Sequence, residues 1–166
     1  MKRLAFLAVV LVAAGCGTKI VTVTNSVTTT PAAPATCRGS DLTASFDQLV
    51  GSAGAGNISY VLKLTNTSAK ACVLRLVGLQ LLDANGGEVS THASPATTLT
   101  HLAPGASVKD EARFSPDVAG VGDNQTGACE PVANTLRVEV GSGTVDAPIK
   151  PPTSVCEQGS MQFRAG

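Results

Sequence analysis

The sequence predicts an all-β fold, a sandwich or barrel, and three observations point there. From Cys37 onward, short alternating apolar runs are broken by turn residues at intervals of about 8–12 positions. No segment beyond the first sixteen residues carries a helical period. Four cysteines stand in this same part of the chain, an even number that reads as disulfides in an exported domain.

The chain has 166 residues, with 12 Lys+Arg against 12 Asp+Glu, 14% charged and 3% aromatic side chains. A nucleic-acid binder or a polybasic membrane module needs a basic excess, so both are excluded as expectations. The scarcity of aromatics argues against stacking platforms for bases or sugars.

Residues 1–15 read as a leader. Lys2 and Arg3 are followed by the uncharged apolar run Leu4 to Ala14, the length of a signal-peptide core and too short to span a bilayer as a helix. The run ends in Ala13-Ala14-Gly15-Cys16, small residues before a cysteine, as in a bacterial lipobox. Ala13 stands at the −3 position where a Leu is usual. Cys16 is therefore the expected lipidation site. Cleavage before it leaves 151 residues with ten basic and twelve acidic side chains, a net charge of −2. Residues 16–36 form a Thr/Pro-rich tether with seven Thr, Pro31 and Pro34. Such composition builds no core and favours extended backbone. Thr28, Thr29 and Thr30 are candidate acceptors for O-linked sugar, an unmodified linker being the plainer reading.

Residues 37–166 make the folded domain. Leu42, Ala44 and Phe46 alternate in its first run, and Gly51 to Gly56 is a turn. Ile58, Tyr60, Leu62 and Leu64 then share one face. After a polar turn at residues 66–70, Cys72, Leu74 and Leu76 share a face, but Leu79 and Leu81 resume out of phase. Gly78 lies at the switch and marks a bulge or a crossover between sheets. Asp83 to Gly87 predicts a hairpin turn, and Ala103-Pro104-Gly105 a second turn between runs 97–102 and 106–114. Residues 115–133 are irregular. Leu136, Val138 and Val140 alternate, a glycine turn follows, and Val145, Ala147 and Ile149 return. Met161 and Phe163 predict a last short strand.

Strand order selects among the three pairings that four cysteines allow. If 41–47 lies antiparallel to 57–66, Cys37 comes beside Cys72. If 134–140 pairs with 144–150, Cys156 comes beside Cys129. The expected bridges are Cys37–Cys72 and Cys129–Cys156. A zinc site is the competing reading, without the ligand spacing to support it.

Cys37-Arg38-Gly39-Ser40-Asp41-Leu42, Leu64-Thr65-Asn66-Thr67-Ser68, Cys72-Val73-Leu74, Leu81 to Gly86 and Leu102-Ala103-Pro104-Gly105 follow one another in order, ahead of Cys129 and Cys156. In this arrangement residues 37–165 resemble an actinobacterial exported domain, domain-of-unknown-function family 4232. The resemblance implies an immunoglobulin-like antiparallel β-sandwich of about seven to nine strands, borne on exported proteins and lipoproteins. It brings no catalytic residues. Members of that family often carry Gly-Tyr-Pro after the second cysteine; here the region reads Leu76-Val77-Gly78-Leu79, without the aromatic.

Chemistry is sparse. His92 and His101 are the two histidines, and Ser90 and Ser94 are near neighbours in sequence. Val50-Gly51-Ser52-Ala53-Gly54 lacks the first Gly of a nucleophile elbow and precedes a strand. Asp83 to Glu88 misses the Gly and Glu positions of a calcium loop, and no dinucleotide-binding glycine pattern is complete. Asp110 has inward phase; it reads as a pocket residue or ion ligand, or more plainly as a bulge or wet edge position. Asn57, Asn66 and Asn124 begin N-x-Ser/Thr sequons, expected in surface turns.

The expectation is a lipid-anchored envelope lipoprotein on the extracytoplasmic face. It is read as a non-enzymatic binding or structural module with a protein or glycan partner, and with no cofactor, metal or nucleic acid. A carrier of lipid or another small apolar ligand is the alternative. An enzyme would have only His92, His101 and Asp110 to use.

Overall fold

The computed structural model describes residues 35–166. The leader, Cys16 and Thr28, Thr29 and Thr30 of the tether lie outside the described residues. Ten strands follow in order: β1 Leu42–Gln48, β2 Ile58–Asn66, β3 Cys72–Leu82, β4 Glu88–Val89 and β5 His92–Ser94, then β6 Leu99–Leu102, β7 Ser107–Phe114, β8 Ala133–Val140, β9 Gly143–Thr153 and β10 Ser160–Ala165. The all-β expectation holds, and every run singled out by alternation is a strand.

Two features differ from the expected sandwich. The strand count exceeds seven to nine, because β4 and β5 are only two and three residues long and too short to show alternation. The strands also hydrogen-bond along one path, β4-β3-β8-β9-β1-β2-β7-β10-β5, with β6 attached to β3. This sheet curls into a half-barrel rather than forming two clearly separate layers. The join is a short parallel pairing of β1 with β9, Phe46 opposite Ile149 and Asp47 opposite Lys150. Alternation reports which face a residue takes, not which edge its strand offers, so this join has no sequence signal.

The two expected antiparallel pairs, β1 with β2 and β8 with β9, are present. Phe46 stands opposite Leu62 in β1–β2, and Leu136 opposite Ala147 in β8–β9. In β3, Cys72–Arg75 pairs with β6 and the remainder with β8. The register slips between Leu76 and Gly78, which is the bulge the phase change requires. Val77 at the slip is 59% exposed, while Leu76 and Leu79 on either side are buried.

The inward residues build one core. Phe46, Tyr60 and Phe114 form a chain of tilted rings with centroids 5.1 and 5.3 Å apart, and Phe163 lies 6.2 Å from Phe46. Aromatic pairs at these separations add about 0.5–1.5 kcal/mol beyond the area they bury, so this core concentrates its few aromatics where they reinforce one another. The Tyr60 hydroxyl, fully inside, donates to the Pro151 carbonyl at 2.7 Å. Burial pushes this phenol above its ordinary pKa.

Turn chemistry sets the ends. Asn66 is wholly buried, and its amide donates to the Lys70 and Leu102 carbonyls while its oxygen accepts from Ser68. One side chain thus ties turn 66–70 to β6. Asp83 Oδ1 accepts from the Asn85 and Gly87 backbone and shapes the hairpin turn. Ala35 and Thr36 already belong to the fold: the Val73 N–H donates to Ala35, and Thr36 bridges Val73 in parallel.

Candidate functional site

The bridges are Cys37–Cys72 and Cys129–Cys156, as strand order required. The first pins the entry of the domain to the start of β3. The second joins the irregular stretch 115–132 to the tight turn Cys156–Gly159.

Around this second bridge lies a joint that the sequence did not announce. Glu157 and Gln158 adopt left-handed backbone, φ 55° and 56°, so their N–H groups converge. Asp123 receives both, at 2.6 and 2.7 Å, together with the Gly120 N–H at 2.8 Å. Desolvation opposes the charge on Asp123 most strongly, yet the three backbone donors and Glu130 together hold its carboxyl below the usual carboxylate range. Burial, the Asp123 charge and a hydrogen bond to Asp123 push the Glu130 carboxyl the other way, upward. Asp123 and the two sulfurs lie within 4.8 Å of one another. With the sulfurs bonded to each other they offer no thiolate, and the carboxylate is filled by N–H donors. The arrangement is a brace rather than a metal centre.

The three residues an enzyme would need are apart in role. His92, exposed on β5, contacts the Gln158 carbonyl through Nδ1 at 2.7 Å. His101 is exposed on β6, opposite Val73. Asp110 is neither a pocket residue nor a wet edge. It is 2% exposed in the middle of β7, and its carboxylate accepts from the Thr97 N–H at 2.9 Å and from the Thr97 hydroxyl. It closes the connection between β5 and β6 onto the core. Among the described residues, no hydrogen bond links any two of His92, His101 and Asp110. Of the sequon asparagines, Asn124 is exposed, Asn57 is half-buried, and Asn66 is inside.

Several hollows mark the surface of the described residues. One of about 290 Å³ lies over β2, β7 and β10, lined by Ser52, Ser59, Glu111, Arg113, Gln162 and Arg164. A second of about 190 Å³ adjoins it across Arg113 and Gln162. A third, of about 480 Å³, lies where the chain enters the domain, beside Arg38, Asp41 and Lys70. A fourth, about 500 Å³ and open, runs past Asn124 and Glu130. Polar and small side chains make up most of each lining, with Phe114 entering the second.

The family model described as a domain of unknown function, DUF4232, matches residues 37–165. The chain belongs to the DUF4232 family. No curated protein and no solved structure matches it. The match spans both disulfides and all ten strands, so the DUF4232 domain is the half-barrel itself. Its start at Cys37 falls at the first bridge.

Proposed function

We propose that this protein is a cell-envelope lipoprotein. Its DUF4232 domain, related to the immunoglobulin-like sandwiches, acts as a non-enzymatic binding or structural module held at the membrane by lipid on Cys16. The observation that carries the reading is the division of the five cysteines. Four close two bridges within the domain, and the fifth ends an apolar leader behind Lys2 and Arg3. Disulfides persist outside the reducing cytosol, which agrees with export. Two or more acyl chains on Cys16 make attachment lasting, at about 0.8 kcal/mol per buried CH₂. The tether lets the domain reach a protein or glycan partner away from the bilayer.

A binding role is favoured over an enzyme because His92 and Asp110 are engaged with backbone and Thr97, and His101 stands alone. It is favoured over a lipid carrier because Phe46, Tyr60, Leu62, Leu136 and Val138 fill the space a ligand would need. Cys16→Ser tests the anchor. The variant should either leave the membrane fraction for the medium or persist as uncleaved precursor. A mature species fractionating as the parent does would end the reading.

A further inference from the structure

The outer face of β2, β7 and β10 has a charge that the whole chain conceals. Residues 35–166 carry nine basic and twelve acidic side chains, net −3. On these three strands the outward positions hold Lys63, Lys109, Arg113 and Arg164 against Glu111 alone, net +3. The rest of the described chain is then five against eleven, net −6. On the neighbouring strand Asp47 stands opposite Lys150 and is locally matched.

The placement is costly to the sheet. Lys63 stands directly opposite Lys109, and like charges facing across a strand pair destabilise it. Glu111 stands opposite Arg164 without an ion pair. Elsewhere the fold uses the opposite device: Arg137 grips Asp146 across β8–β9 with two hydrogen bonds of 2.8 and 2.9 Å. That is the one ion pair among the described residues. Arg113 and Arg164 are diagonal neighbours, because Arg113 faces Gln162 and Arg164 faces Glu111. Both line the hollow over β2, β7 and β10. Diagonal positions lie about 7–8 Å apart, within reach of one bidentate oxyanion held between two guanidinium forks. Glu111, Ser59 and Gln162 beside them offer acceptors and donors for hydroxyl groups.

We propose that this face binds an acidic glycan, a sugar polymer bearing carboxylate or phosphate. One acidic group lies between Arg113 and Arg164, its neighbouring hydroxyls meet Glu111 and Gln162, and the chain runs on toward Lys63 and Lys109. Ser59, Glu111 and Gln162 beside the arginines are groups that pair with the many hydroxyls of a sugar chain, which favours a glycan over a nucleic acid. The proposal rests on the binding-module reading and names its ligand class.

The test is equilibrium binding of the purified full chain, in detergent, to polygalacturonate and to a phosphomannan, which separate the two acid groups. Neutral dextran, poly-dT and phosphatidylglycerol vesicles serve as comparators. At least one acidic polymer should bind in a salt-dependent manner, and Arg113→Gln/Arg164→Gln should weaken it at least tenfold. Lys63→Gln/Lys109→Gln should weaken it several-fold while raising Tm, which excludes misfolding as the cause. Lys70→Gln, off this face, should bind as the parent. Equal binding of dextran, tighter binding of poly-dT or of vesicles, or an unchanged arginine double variant would overturn the proposal. In that event, membrane release of Cys16→Ser would still stand as support for the lipoprotein reading.

Discussion

Asp110 shows at the level of one residue what a phase can and cannot reveal. Alternation in β7 places it inside, and it is inside. What makes that tolerable is Thr97, thirteen positions earlier, whose N–H and hydroxyl both donate to the carboxylate. A buried charge without partners is expensive, and hydrogen bonds to a charged group contribute about 1.5–3 kcal/mol. Asp110→Ala leaves the half-buried Thr97 donors without their acceptor. It should cost about 2–3 kcal/mol in a denaturant titration, with Asp110→Asn recovering part of the loss. A cost of a few tenths would mean that water replaces the carboxylate. Nothing in the sequence marks Thr97 as the partner, because periodicity says nothing about which loop folds over a strand.

At the level of elements, the second disulfide and Asp123 hold the same two segments together. Closing a 27-residue separation stabilises by roughly 3.5 kcal/mol in the chain-entropy model, and 35 residues by slightly more. Asp123 still ties residue 120 to residues 157 and 158 when the bridge is gone. Cys129→Ala/Cys156→Ala should therefore cost less than Cys37→Ala/Cys72→Ala. Adding Asp123→Asn to the first pair should destabilise by more than the separate effects combined, the mark of groups that share one task. Strict additivity in a double-mutant cycle would show two independent braces. The longer strands, the turns and both bridges were legible in the sequence, because a period of two and a tight turn are local, whereas β4 and β5 are too short to carry a period. The joint was not, since its donors depend on two consecutive left-handed residues, Glu157 and Gln158, that neither glycine nor asparagine announces.

For the whole molecule, the paired carboxyls set a pH response. Between the unfolded and the raised folded pKa of Glu130, the native state binds the extra proton, so stability rises as pH falls through that folded pKa. Asp123 acts in the opposite sense: its contribution is present above the unfolded carboxylate value and is lost as pH falls through the depressed folded pKa. Tm should pass through a maximum on the mildly acidic side, and Glu130→Gln should remove the neutral-to-acid rise while keeping the loss at lower pH. A monotonic profile in the parent would show that the two groups do not act as a pair. The sequence by itself determined the strand faces, the change of phase at Gly78, the turns and the cysteine pairing, because each follows from side-chain period, backbone freedom or hairpin adjacency. Only the tertiary structure decided that β9 joins β1 into one curled sheet, that Asp123 gathers the distant N–H groups of Glu157 and Gln158, and that the chain's balanced charge separates into a cationic face and an acidic remainder. Those depend on which edges meet and which residues become neighbours across strands, and a one-dimensional period carries neither.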